Sequence, residues 1–207
     1  MKRPKTRVYI AATVDGFIAR PDDRIDWLAH ETHGDDYGWA PFRESIDTLI
    51  IGRRTYEQVL SFGMEWPYKG LTTVVWSRTL TNEDIPESLQ AEKVEVSGLP
   101  PDALLSHLGE RGQKHAWVDG GRALQTFLAA GLIDVVTVTR IPILIGEGIP
   151  LFGALPADLH LEHLETQAFA SSVVQSTYAV HTEPPAIEVV ATPSTPPDTA
   201  DGEPDAP

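Results

Sequence analysis

The chain has 207 residues, 42% of them hydrophobic and 22% charged, with a formal net charge of −14. That is the composition of one ordinary globular domain with enough chain to bury a substantial core. Cysteine is absent, which excludes disulfides, thiolate catalysis and cysteine-held metals. The acidic balance opposes nucleic-acid binding by bulk electrostatics. With no apolar run near 18 residues and no signal-peptide pattern, a soluble, cytoplasmic protein without a membrane partner is expected.

In chain order, residues 7–14 read as a buried strand closed by the turn Asp15-Gly16, and Phe17 to Ala19 lead into a polar loop at 21–24. Tyr37 to Ile46 has helical spacing. Thr48 to Ile51 is a short buried strand, after which Gly52-Arg53-Arg54-Thr55 opens a helix through Leu60. Strands follow at 72–76 and 94–96, a helix at 102–108, a strand at 116–118 and a helix at 123–130. Residues 135–145 read as a long strand region containing Pro142, which confines that point to an edge, a bulge or a bend. Residues 159–166 and 171–181 read as a closing antiparallel pair. From Glu183 to Pro207 there are six acids, seven prolines and no Lys or Arg. A folded domain over 1–182 and a disordered Pro/acid-rich tail over 183–207 are therefore expected. Strands alternating with helices predict an α/β layer fold with a largely parallel sheet and an antiparallel edge.

Three strands end in a small or polar turn followed by arginine: Ile51-Gly52-Arg53-Arg54-Thr55, Trp76-Ser77-Arg78 and Val118-Asp119-Gly120-Gly121-Arg122. Ligands of α/β sheets sit outside the carboxyl ends of strands, and a helix N-terminus offers free N–H groups to a phosphate. If the three strands are neighbours, their arginines, hydroxyls and helix N-termini converge on more than one phosphate. A dinucleotide bearing a 2′-phosphate would use them all. Singly, each arginine reads as an exposed loop charge.

These residues resemble the dihydrofolate reductase-like superfamily, and within it the reductase domain of the bifunctional riboflavin-biosynthesis enzyme. The resemblance rests on Thr13-Val14-Asp15-Gly16-Phe17-Ile18-Ala19, Asp26-Trp27-Leu28, Gly52-Arg53-Arg54-Thr55-Tyr56-Glu57, Ser77-Arg78, Gly120-Gly121 through Asp134, and the block from Pro142 to Phe152. It implies a three-layer α/β/α fold around a mixed, mostly parallel eight-stranded sheet, NADPH as cofactor, a small-molecule substrate and a homodimer. By the same resemblance, Gly52, Arg53, Arg54 and Thr55 would bind cofactor phosphates and Ser77 and Arg78 the adenosine 2′-phosphate. Gly120, Gly121, Arg122, Ala123 and Leu124 would hold the pyrophosphate and nicotinamide ribose, and Ala11, Ala12 and Ile18 would lie by the nicotinamide.

The expected activity is hydride transfer from NADPH to a heterocyclic or carbonyl-type substrate, aminouracil-like or pterin-like. The alternative is a non-catalytic nucleotide-binding or scaffold dimer that kept the fold. Such chemistry needs positioning, a dry pocket and a proton source. The resemblance offers Asp36 as the acid, aided by Thr139, with Asp119 as a second candidate. Asp35 and Asp36 also read as caps of the helix they precede. Trp27, Tyr37, Trp39, Phe42 and Trp66 are candidates to line an apolar pocket for a flat ring, Trp27, Tyr37 and Phe42 foremost, although large aromatics are more often core. His30 and His33 with Asp35 and Asp36 read as a polar loop in preference to a metal site. The Pro-Trp-x-Leu-Pro lid motif of true dihydrofolate reductases is missing, and no deaminase zinc motif is present.

Overall fold

The computed structural model describes residues 3–28 and 35–183. The proposed tail beyond Glu183 and the His30 and His33 reading lie outside them. Among the described residues, ten strands and five α-helices follow one another as β1 (Lys5–Thr13), β2 (Phe17–Ala19), α1 (Trp39–Glu44), β3 (Thr48–Gly52), α2 (Arg53–Ser61), β4 (Thr72–Trp76), α3 (Glu87–Ala91), β5 (Val94–Ser97), α4 (Pro101–Glu110), β6 (His115–Asp119), α5 (Gly121–Ala129), β7 (Val135–Ile141), β8 (Ile149–Pro150), β9 (His160–Ala168) and β10 (Val174–His181).

Eight strands form one sheet in the order β5-β4-β3-β6-β1-β7-β10-β9, and β2 pairs with β8 in a small second sheet. From β5 to β7 every pairing is parallel. β10 lies antiparallel to both β7 and β9. The expected architecture is thus observed, with the antiparallel pair at one edge.

The central strands are apolar on both faces because helices cover both. On one face, Val8, Ala12, Ile50, Val74 and Val118 pack with Leu104, Leu105 and Leu108 of α4 and with Leu124 and Phe127 of α5. On the other, Leu49, Ile51, Val75 and Trp117 pack with Phe42 of α1 and with Tyr56 and Val59 of α2.

Two expectations need correction. The long strand region ends at Ile141, because Pro142 has no N–H to continue the ladder. Beyond it the chain turns, with the Ile143 N–H on the Ile141 carbonyl at 2.7 Å, and returns as β8 against β2. The helix at Tyr37 to Ile46 is shortened to α1, because Tyr37 and Gly38 take positive φ values of 53° and 82° and hold the chain out of the helix. The short helix α3 had no counterpart in the sequence reading; its five residues are too few for a periodic signal.

Candidate active site

The three arginine-bearing strand ends belong to adjacent strands. β3 lies between β4 and β6, with Gly52 opposite Trp76 and Ile51 opposite Asp119. All three run the same way, so their carboxyl ends open onto one rim. Two nine-residue helices, α2 and α5, begin there.

Close approach of these helix starts requires the glycines. Gly120 has φ +86°, and a Cβ there would overlap the Thr55 hydroxyl. A Cβ on Gly121 would come to 2.9 Å from Ile18 Cδ1 and 3.3 Å from Ile149 Cγ2. The β2–β8 pair therefore presses on the start of α5, while Thr55 of α2 presses from the other side. The loop leading to β8 is held by Asp15, whose carboxylate accepts the N–H groups of Ile145 (3.0 Å) and Gly146 (2.8 Å).

The arginines divide into two sets. Arg53 lies 3.3 Å from Thr79 Oγ1, toward the turn after β4, and 3.5 Å from Glu57. Arg54 turns the other way and pairs with Asp23, whose φ of 68° sits in the left-handed region. The Asp23 carbonyl also accepts from Gln58 at 2.6 Å. Arg78 and Arg122 are exposed and form no ion pair among the described residues. Ser77 uses its hydroxyl to accept the N–H groups of Thr79 and Leu80, so it shapes the turn that presents Arg78.

Some expected contacts are ruled out by the fold. The Leu124 side chain is fully buried under α5, and its N–H already bonds the Gly120 carbonyl at 2.9 Å. Ala123 is buried beside it, which leaves only its backbone N–H, free in the first turn, for a ligand. Alternation along β1 sends Ala11 and Ala12 to opposite faces. The Ala12 side chain joins the core under α5, which leaves only its backbone for a ligand on the Ala11 face.

That other face carries the second half of the site. Ala11 of β1, Thr139 of β7 and Gln175 of β10 stand in one row, by the registers Ala11 to Thr139 and Thr139 to Gln175. The pairing of Arg7 with Trp117 puts Trp117 and Asp119 on the same face. Gln175 Nε2 lies 2.8 Å from Thr139 Oγ1, 3.1 Å from the Tyr9 hydroxyl and 2.9 Å from the Tyr37 carbonyl. The Tyr9 hydroxyl donates to that carbonyl too.

Aromatic rings line the wall beside this network. Phe42 stacks on Tyr9 at 4.4 Å, and Trp39 and Tyr68 meet Trp117 edge-on at 5.2 and 5.6 Å. Phe42, expected to touch substrate, is 7% exposed and supports Tyr9 and Trp117 from behind. Trp66 is likewise buried, between Tyr56 and Tyr68. The Tyr37 ring turns away to Phe169 (4.8 Å) and to the Ser171 hydroxyl (3.1 Å), so its carbonyl is the part that enters the network. Trp27 is buried against Ile141 and Val173, with Ala11 at its margin, and its indole N–H has no protein acceptor among the described residues.

The acids have different environments. The Asp36 carboxylate accepts the N–H groups of Gly38 (3.0 Å) and Ala40 (3.1 Å), and these bonds hold it below the usual carboxylate range. It is an ionised cap of α1 and a poor proton donor near neutral pH. Asp119 sits inside the rim, and burial pushes its carboxyl up to about 6, against a smaller opposing pull from the Gly120 N–H. Burial, and then the Asp119 charge, raise the Tyr68 phenol.

Tyr9, Gln175 and Tyr68 were missed in the sequence reading. Tyr9 reads as one more strand residue, and Gln175 as one polar position in an edge strand. Their convergence depends on sheet order, which local pattern does not carry.

The model of the RibD C-terminal domain matches residues 4–175. The chain belongs to that family. The Bacillus subtilis protein YwjB, itself uncharacterised, is 34% identical over 170 residues, 82% of this chain and 94% of its own length. The Corynebacterium ammoniagenes riboflavin biosynthesis protein RibD is 29% identical, covering 72% of this chain and 46% of that one. A crystal structure from Shewanella sp. PV-4, provisionally named a riboflavin biosynthesis protein, superposes with TM-score 0.80 at 34% identity, over 86% of this chain and 99% of that one. The Thermotoga maritima deaminase and 5-amino-6-(5-phosphoribosylamino)uracil reductase shares the fold, with TM-score 0.68 at 18% identity over 86% of this chain and 56% of its own. Membership in the RibD C-terminal family supports a reductase-type function. Among the described residues no three His, Asp or Glu side chains are grouped to hold a metal, and no helix is long and apolar enough to cross a membrane.

Proposed function

We propose that this chain is an NADPH-dependent reductase of a small heterocyclic or carbonyl-type substrate, aminouracil-like or pterin-like. The observation that carries the reading is the convergence of the β4, β3 and β6 ends, with their arginines, on the same rim as a proton-holding Asp119. The residues fit the cofactor. The Gly120-Gly121 turn leaves a backbone cradle that side chains would fill. The first-turn N–H groups of α5, with Arg122 beside them, would hold a pyrophosphate there. Arg53 and Arg78 supply the extra positive charge that a 2′-phosphate calls for.

When bound, NADPH supplies a hydride from its nicotinamide and is left as NADP+. The protein must then deliver one proton to the heteroatom of the reduced bond. Asp119 holds that proton at its carboxyl up to about pH 6. Thr139 and Gln175 orient the substrate ring from β7 and β10. Trp39, backed by the buried Trp117, forms an apolar wall that keeps water off the reacting face. Asp36 acts indirectly, by fixing the start of α1 and with it Trp39.

Calorimetric titration of the full chain with NADPH and NADH tests the reading. NADPH is expected to bind about tenfold or more tightly. Equal affinities would remove the argument from Arg53 and Arg78, and no binding of either would sink the proposal. A screen for substrate-dependent loss of NADPH absorbance then separates a reductase from a nucleotide-binding scaffold.

A further inference from the structure

We infer that the substrate of this site is a neutral planar heterocycle that carries no phosphate monoester. This rests on the reductase reading above and deepens it. The Thermotoga maritima relative is named for a phosphoribosylated aminouracil. A site that grips such a dianion needs cations aimed at it.

In this chain the available cations stand on the other half of the cleft. Arg78 and Arg122, free of ion pairs among the described residues, lie on the rim of β4 and β6, where the cofactor would take them. On the face that holds Thr139, Gln175 and Trp117, Arg53 opens α2 at the carboxyl rim, where it meets Thr79 and Glu57 and where the cofactor would take it; Arg7, Arg43 and Lys69 lie toward the amino ends of the strands. Arg7 donates to Ser45 Oγ at 2.7 Å and lies over the Phe42 ring at 5.3 Å. Arg43, in the last turn of α1, donates to the Lys69 carbonyl at 2.5 Å. Lys69 is bound to Glu65 at 2.5 Å with Glu92 at 3.8 Å.

Around the mouth, Arg20, Arg24 and Arg54 are each paired with an aspartate, Asp26, Asp22 and Asp23. Arg140 follows Thr139 on β7 and so points to the opposite face.

What the face does offer is neutral and flat. With the Gln175 N–H groups and the Tyr9 O–H spent within the network, the Gln175 carboxamide oxygen is left to accept and the Thr139 hydroxyl to donate, a pair that suits the lactam edge of a ring. Half-buried Trp39 and Tyr68 supply ring faces and edges, with Trp117 buried behind them. The fixed charges beside them are negative. Asp36 stays ionised at neutral pH, and Asp119 joins it above about pH 6. Each repels a phosphate dianion.

The test uses the full chain loaded with NADP+, titrated with 5-amino-6-(ribosylamino)uracil and with its 5-phosphate while tryptophan fluorescence is followed. The same pair is then offered with NADPH and its oxidation recorded. The phosphate-free compound is expected to bind about tenfold more tightly and to give the higher kcat/KM. Equal or tighter binding of the phosphate form overturns the inference, as does binding of neither compound. Failure of the reductase reading is distinguishable, because it appears as no calorimetric NADPH binding, or as ring binding with no NADPH consumed.

Discussion

The two halves of the cleft are built by different means. The rim formed by β4, β3 and β6 is made of backbone and charge, with glycine turns, helix starts and arginines on exposed arms. The face formed by β1, β7 and β10 is made of side chains locked to one another, with Gln175 tied to three partners and the aromatic rings stacked behind. A backbone cradle recognises a chemical constant, the phosphate group. A side-chain wall recognises a shape and can change from one family member to the next without disturbing the sheet. The contrast explains why the proposed cofactor side carries more local sequence signal than the proposed substrate side.

The sharpest way to break this comparison is at Asp119, which stands between the halves. Asp119→Asn is expected to lower turnover by about 10²–10⁴-fold and to remove the fall in rate as pH rises through about 6, read from the pH profile of kcat. The same change should help the fold. A carboxyl whose folded pKa lies above its ordinary 3.8 binds its proton more tightly when folded. The cost of that burial is absent below 3.8, grows between 3.8 and about 6, and is complete above. Asp119→Asn should therefore stabilise by roughly 1–3 kcal/mol at pH 8 and by little at pH 3.5 in denaturant melts. Equal effects at both pH values would show that the carboxyl is not strained by burial.

Next is the cradle. Gly120→Ala is expected to cost roughly 2–3 kcal/mol of stability in urea melts, because a Cβ at φ +86° overlaps the Thr55 hydroxyl. The double change Gly120→Ala with Thr55→Ala removes the hydroxyl and should recover only part of that loss, since the strain of φ +86° remains. Arg78→Ala should leave melting unchanged, because Arg78 forms no ion pair among the described residues, and should lower the NADPH-over-NADH preference about tenfold in calorimetry. The smallest effect is expected at the exposed Asp23–Arg54 pair. Asp23→Asn frees Arg54 and should tighten NADPH binding by about twofold to fivefold, most at low salt. An unchanged affinity would place Arg54 outside the cofactor half.

The order of strands and helices was legible because each carries its own local signal. Short apolar runs such as Leu49-Ile50-Ile51 ended at glycine, and helices such as α5 showed an apolar stripe at Leu124, Phe127 and Leu128. The arginine-bearing ends were legible for the same reason, since each lies within a few residues of its strand. The facing of side chains was less so. Alternation makes Ala11 and Ala12 opposite in exposure, and the helical bond from the Leu124 N–H closes it to any ligand, yet a motif groups neighbours together. Gln175 lies outside every motif. It meets Tyr9 and Thr139 only because β10 reverses direction beside β7, a long-range fact with no local mark in the sequence.

The insertion of β6 between β3 and β1 has a consequence for how the molecule forms. Its partners lie far apart in the chain: it joins Ile51 to Asp119 on one side and Arg7 to Trp117 on the other. Both loops must close before the glycine turn has a neighbour, so this rim is expected to form late in folding. A dinucleotide would find its seat only on chains whose centre is already complete. At a hundredfold excess over Kd it would hold them there by about 2.7 kcal/mol, so the ligand's concentration would set the working lifetime of the folded sheet.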